Sequence, residues 1–356
     1  MLSYVSKLKN QLFVALLILP LFCFSAEDVK SEDIVVRAAL DIGSGATKLK
    51  VAQVNLKTQK IVKVLVNESF PVQYQEELEK STNNTFNEQV MNTGLDALKK
   101  SQEIAYKYGA QKVVAIATAS FRKAANVQEF LDRIYSETGI QVYIIDQQLE
   151  GILGFEATAS QFNVRPEDLV VWDIGGGSFQ FSTVDEDGEI IVHRGLDASI
   201  PFKNHIIKEI KLEDPNVVTT PNPLSRIELR DAEYHARQIS KKVDEVFKSK
   251  IGNRNTKVVG IGNIFAYGIY PLIGKKSTFS QEDLFQKVQA LDGKADRDLG
   301  DGAYVNVAVS NPILVLGFMQ TLGIREMDII DINNADGALL YPSFWEVSSD
   351  LRLSVN

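Results

Sequence analysis

Two widely separated segments of the chain follow one plan. Asp41-Ile42-Gly43-Ser44-Gly45 and Asp173-Ile174-Gly175-Gly176-Gly177-Ser178 each put an aspartate at the end of an apolar run. A turn without bulky side chains and a second strand-like run follow in both. Glycine lets backbone N–H groups approach a ligand closely, and successive N–H groups form a nest for phosphate oxygens. Ser44 and Ser178 add hydroxyl donors. The aspartates repel phosphate, so their natural role is to hold a hydrated Mg²⁺ through oxygen ligands. One such turn reads as a hairpin; two matched turns, each led by aspartate, point to a phosphate site between two related lobes.

The rest of the chain alternates strands and helices, the pattern of an α/β protein. In the first half, strands are expected at residues 35–42, 46–54, 61–66, 112–117 and 142–145. Helices are expected at 87–108, 125–138 and 149–159. The second half reads as strands at 169–174, 179–182, 189–195, 257–262 and 327–332. Its helices are a segment from about Lys203, a long one over 227–248, then 281–290, 311–322 and a closing one over 334–346. The lobes are expected at 36–155 and 165–335, with a C-terminal helix of about 338–356 returning to the first. Connecting segments fall near 153–166 and 333–340.

Composition narrows the functions. Residues 1–25 carry Lys7 and Lys9, an apolar stretch over 12–24, and small residues at Cys23 and Ser25. That is the pattern of a secretory signal peptide, too short for a spanning helix, which needs about 20 residues. Its removal takes the net charge from −8 to −10, because two lysines leave and no acid does. It also removes the only cysteine, so disulfides and cysteine metal sites are excluded. His193, His205 and His235 share no short spacing, which disfavours zinc. The acidic balance argues against nucleic acid. An acidic chain with an anionic ligand is expected to gather its positive potential in the cleft.

Three further elements are weak in isolation. Arg122 follows the strand ending at Ala117, and a guanidinium matches phosphate oxygens bidentately. Glu150 opens a helix, where a carboxylate can take a proton from water or simply complement the helix dipole. Gly260-Ile261-Gly262 is a third strand-to-glycine turn.

Together these blocks resemble the exopolyphosphatase / guanosine pentaphosphate phosphatase (Ppx/GppA) family. The resemblance is most specific at Ala117-Thr118-Ala119-Ser120-Phe121-Arg122-Lys123-Ala124-Ala125-Asn126. It continues at Asp173–Ser178, Glu150-Gly151 and Ser199-Ile200-Pro201, and runs from about Val36 to Leu340. It implies two duplicated actin-like (ribonuclease H-like) lobes with a cleft between them. It further implies phosphate binding by Gly43, Ser44, Arg122, Gly175, Gly176, Gly177 and Ser178. Asp173 and Asp41 would bind Mg²⁺, and Glu150 would be the general base for water attacking a terminal phosphoanhydride. The chain departs from the family pattern at Gly45-Ala46, Phe179-Gln180, Asp146–Leu149 and Ala335-Asp336-Gly337, all around the expected reaction centre.

The leading expectation is therefore an exported, periplasmic or extracellular exopolyphosphatase-like hydrolase, with polyphosphate as ligand and activity reduced by these departures. The first alternative is a polyphosphate- or nucleotide-binding protein that has lost catalysis, and the second a kinase or ATPase of the same superfold. Lys203, Lys208 and Lys211 are read either as a phosphate track or as a solvated helix face. No membrane span is expected after cleavage, and a homodimer is left open.

Overall fold

The computed structural model describes residues 33–162, 164–302 and 304–346. The signal-peptide reading of residues 1–25 lies outside them, as do residues 347–356.

Two sheets organise the described residues. The first comprises β1 (Ile34–Ile42), β2 (Ala46–Asn55), β3 (Lys60–Pro71), β4 (Val113–Ala117) and β5 (Val142–Ile144), in the order β3-β2-β1-β4-β5. The second comprises β6 (Leu169–Ile174), β7 (Phe179–Val184), β8 (Ile190–Gly195), β9 (Lys257–Ile261), β10 (Thr278–Ser280) and β11 (Glu326–Ile329), in the order β10-β11-β9-β6-β7-β8. From β8 to β11 the second sheet repeats the first: an antiparallel meander, then parallel strands on the far side of its first strand. The echo seen in sequence is thus a repeated topology. β6 and β7 are buried along their whole length, which explains why β6 is apolar but for Asp173.

Helices α1 (Tyr74–Lys80), α2 (Glu88–Lys107), α3 (Ala119–Lys123), α4 (Val127–Thr138) and α5 (Gln147–Ala159) belong to the first half. Tyr74, Phe86, Phe121 and Phe130 pack edge and tilt against one another in its core. The second half contains α6 (Ser199–His205), α7 (Arg226–Ser240), α8 (Glu245–Gly252), α9 (Tyr270–Leu272), α10 (Gln281–Gln289), α11 (Asp296–Leu299) and α12 (Ser310–Leu322). Its core centres on Trp172, with Phe181, Phe265 and Phe318 around it. Val305–Leu322 is long and apolar enough to cross a membrane, but 72% of it is buried inside the protein, as expected of a core helix. The last helix, α13 (Asn334–Leu340), packs its Ala335, Ala338 and Leu339 with Ala39, Ala52 and Val114 of the first sheet.

Two helix expectations are corrected. The single helix over 227–248 is two helices, because Val243 turns inward to the core that also takes Ile239 and Phe247. The closing helix begins at Asn334 and stops at Leu340. Pro342 starts a short 3₁₀ turn there, since proline lacks the N–H that would continue the ladder.

Candidate phosphate site

The two aspartate-led turns have the same geometry. Gly43 N–H donates to the Ala46 carbonyl and Gly175 N–H to the Ser178 carbonyl, both at 2.9 Å. Asp41 pairs across its hairpin with Lys48, and Asp173 across its own with Gln180. The cross-strand partner is where the copies differ. Lys48 Nζ lies 2.9 Å from Asp41 Oδ2, whereas the Gln180 amide donates to Ser178 Oγ at 3.4 Å.

The turns meet face to face. A side-chain carbon on Gly176 would stand 2.7 Å from Ser44 Cβ, so the approach of the two backbones requires glycine. Ser199 and Ile200, the residues after β8 that resemble a family segment, donate their N–H groups to the Gly175 and Gly176 carbonyls at 3.3 and 2.8 Å. The third glycine turn also belongs here. Gly262 has φ +86°, and a side-chain carbon on it would lie 2.7 Å from Asp173 Oδ1. Gly262→Ala is therefore expected to destabilise the protein by about 1–3 kcal/mol through its backbone alone. It should also displace the Asp173 carboxylate. Urea denaturation measures the first effect; a loss below about 0.5 kcal/mol would mean that the turn simply moves aside.

Charge in the site is concentrated on side chains with little exposure, Asp41, Glu150 and Asp173 among them. Burial pushes the Asp173 carboxyl up to about 6; nearby Lys48 opposes this, Asp41 adds to it, and an Asn334 hydrogen bond opposes it. Asn334 Nδ2 donates to Asp173 Oδ2 at 3.1 Å. Burial would lower the Lys48 ammonium, but Asp41 and Asp173 reverse this and hold it above its ordinary value. Glu150 lies in the first turn of α5, whose N-cap is Asp146, accepting from Leu149 N–H at 2.8 Å. The helix dipole would favour its ionised form. Burial outweighs this, and Asp173 and Asp41 add like charge, so Glu150 rises to about 8 despite Arg122 beside it.

Arg122 stands behind Glu150. Its Nη1 donates to Glu150 Oε2 at 3.0 Å and to the Ile145 carbonyl at 2.7 Å, while Nη2 is buried without a partner. A cavity of about 470 Å³ opens in front. Asp41, Gly43, Ser44, Glu150, Asp173 and the Gly175–Ser178 turn all line it, and Arg122 does not. The three candidate track lysines do not line it either. Lys203 is buried 3.9 Å from Glu76, exposed Lys208 pairs with Glu209, and Lys211 donates to the Pro223 carbonyl. The expectation of a positive cleft is corrected: among the described lining residues, Lys48 is the one cation beside Asp41, Glu150 and Asp173.

The carboxylates fit a hard cation. Asp41 Oδ1 is buried without any hydrogen-bond partner, and Asp173 Oδ1 faces the bare Gly262 backbone. Two such oxygens, completed by water and phosphate, are what Mg²⁺ uses. Among the described residues no group of three or more His, Cys, Asp or Glu is placed to hold a metal. His205 and His235 do stack, with ring centroids 3.4 Å apart, a contact their spacing does not reveal.

The position of Lys48 opposite Asp41 follows from the hairpin register. Asn334 was overlooked: folding brings it to Asp173 from 161 positions away, and no local signal exists for it. Tyr304 was overlooked too. Its phenol is raised by burial, with Lys48 opposing, and its ring lies near Gly45.

Comparison with known proteins agrees with this geometry. A model of the Ppx/GppA phosphatase family matches residues 51–194. The chain is 28% identical over 173 residues to a bifunctional 3-dehydroquinate synthase/phosphatase from Fusobacterium nucleatum, covering 44% of this chain and 26% of that protein. It is 33% identical over 97 residues to exopolyphosphatase 1 of Mycobacterium leprae, covering 27% and 29%. The chain therefore spans less than a third of the length of these curated relatives. Its fold is similar to that of the Ppx-GppA enzyme of Aquifex aeolicus, with TM-score 0.65, 17% identity, 86% of this chain and 99% of that one covered. At that identity the likeness is one of fold: two actin-like lobes.

Proposed function

We propose that this chain, which belongs to the Ppx/GppA phosphatase family, hydrolyses a terminal phosphoanhydride by attack of water. One observation carries the reading: Glu150 and both aspartate-led turns line the same cavity. The turns' N–H groups and Ser44 and Ser178 hydroxyls would hold the terminal phosphate. Asp41 and Asp173 would hold Mg²⁺, which when bound neutralises phosphate charge and polarises the phosphorus–oxygen bond. Arg122 fixes one oxygen of Glu150, leaving the other to take a proton from the attacking water. The name of the mycobacterial relative makes polyphosphate the first substrate to try. The signal-peptide pattern of residues 1–25 supports a reaction outside the cytoplasm.

The test is phosphate release from tripolyphosphate and longer polyphosphate by the full chain with Mg²⁺. Release that depends on Mg²⁺ and exceeds that of Glu150→Gln supports the reading; equal rates for the two proteins would sink it. The uncharged Gln180 opposite Asp173 favours a second reading, a binding protein of the same fold. Tight binding of tripolyphosphate with no turnover is its signature.

A further inference from the structure

The cavity has two unlike ends. Its floor is the carboxylate, Lys48 and glycine-turn assembly. Its other end belongs to the second lobe, where Gly262 is followed by a π-helical segment, Ile264–Ile269, a local irregularity common at functional sites. That end is walled by Ile264, Leu272, Leu291, Leu299, Val305 and Val307, with Tyr267 and Tyr304 also lining the cavity. Ile264, Leu291 and Val307 are continuous with buried structure, whereas Leu272, Leu299 and Val305 are part-exposed.

Neither end suits a long polyanion. A chain with charge on every phosphate calls for a row of Lys or Arg along its path. Among the described lining residues the single cation is already bonded to Asp41, and an apolar wall continues the path. Asn263, Asn306 and Asn311 also line the cavity, so a nucleobase is the rival to an apolar body. Burying apolar ligand surface there is favourable. The cavity, about 470 Å³, has the size of a small-molecule site, about 300–1,000 Å³.

We infer that the ligand of this cleft is an organic diphosphate whose body is neutral and apolar, a prenyl or aryl group, with the phosphates on the floor and the body against the Leu272–Leu299 wall. The reaction rests on the hydrolase reading above. Water oxygen bonds to the terminal phosphorus, the bridging P–O bond breaks, and Glu150 receives the water proton. Inorganic phosphate and the organic monophosphate leave, the latter taking the bond's electron pair on its oxygen. The placement of the apolar body stands on the cavity itself.

The experiment measures kcat/KM of the full chain for geranyl diphosphate, phenyl diphosphate, guanosine diphosphate and tripolyphosphate. The expected result is at least a ten-fold preference for one or both apolar diphosphates over the other two; the stronger of them identifies the body. Leu299→Lys and, separately, Leu272→Gln should lower the ratio of geranyl diphosphate to tripolyphosphate efficiency by ten-fold or more. Preference for tripolyphosphate or guanosine diphosphate overturns the inference. If no substrate turns over, the hydrolase reading fails and calorimetric binding of the same four compounds to wild type decides. Binding of the apolar diphosphates ten-fold tighter than tripolyphosphate upholds the inference, and equal or weaker binding overturns it.

Discussion

Glu150→Gln is expected to reduce phosphate release by 10²- to 10⁴-fold, the usual contribution of a positioned general base, while KM changes little. The carboxamide has nearly the same shape and can still meet the Arg122 guanidinium, now 3.0 Å from Glu150 Oε2. What it cannot do is accept a proton from water. A loss below about ten-fold would place the base elsewhere and leave Glu150 as a neutral part of the α5 N-terminus.

The same residue sets an expected pH dependence. Burial, with Asp173 and Asp41 adding to it, holds Glu150 near 8 in the folded protein, and only the ionised form is a base. At fixed Mg²⁺ the rate should therefore rise with pH on a limb well above the ordinary carboxylate range. A cation bound at Asp41 and Asp173 favours the ionised form and moves the limb down from about 8. Stability runs the opposite way. A carboxyl raised on folding contributes stability that is full below its unfolded value near 4.5 and is lost as pH climbs through about 8. Wild type should therefore lose stability relative to Glu150→Gln across that window. Urea midpoints at pH 5 and pH 9 measure the difference; a constant difference would refute the raised carboxyl.

The sequence made the repeated half of this site legible and left its assembly hidden. Asp41 and Asp173 announce themselves because each ends a buried strand before a glycine turn, a pattern contained in a few consecutive residues. The hairpin register even places Lys48 opposite Asp41. Other contacts depend on packing between distant elements. Arg122 reads from sequence as a phosphate ligand, yet in the fold its Nη1 meets Glu150 and the Ile145 carbonyl. Lys203 reads as part of a phosphate track or of a solvated helix face, yet it is buried in α6 near Glu76 of α1. Helix α1 itself went unseen, being only seven residues long. Net charge was the least informative quantity: it describes the whole surface, while three carboxylates and one lysine decide the floor of the cleft.

Lys50→Met is expected to destabilise the fold by about 3–5 kcal/mol, the cost of stranding one member of a buried ion pair. Lys50 on β2 lies 3.2 Å from Asp336 Oδ2 on α13, and the two side chains are 3% and 2% exposed. The same Asp336 oxygen accepts the Asn333 N–H that begins the helix. Burial raises the Asp336 carboxyl, while Lys50 and the Asn333 bond restrain it. Without Lys50 the carboxyl rises further, so the variant should be closest to wild type in acid and lose ground as pH rises through the folded value. Lys50→Met/Asp336→Asn removes the stranded charge and keeps an oxygen for Asn333; it should recover part of the loss. Because α13 also carries Asn334 to Asp173, the single variant should weaken Mg²⁺ binding measured by calorimetry on the folded protein. A pH-independent loss, with no recovery in the double variant, would mean that the lysine contributes by filling space and that its charge is immaterial to how α13 is held against the first sheet.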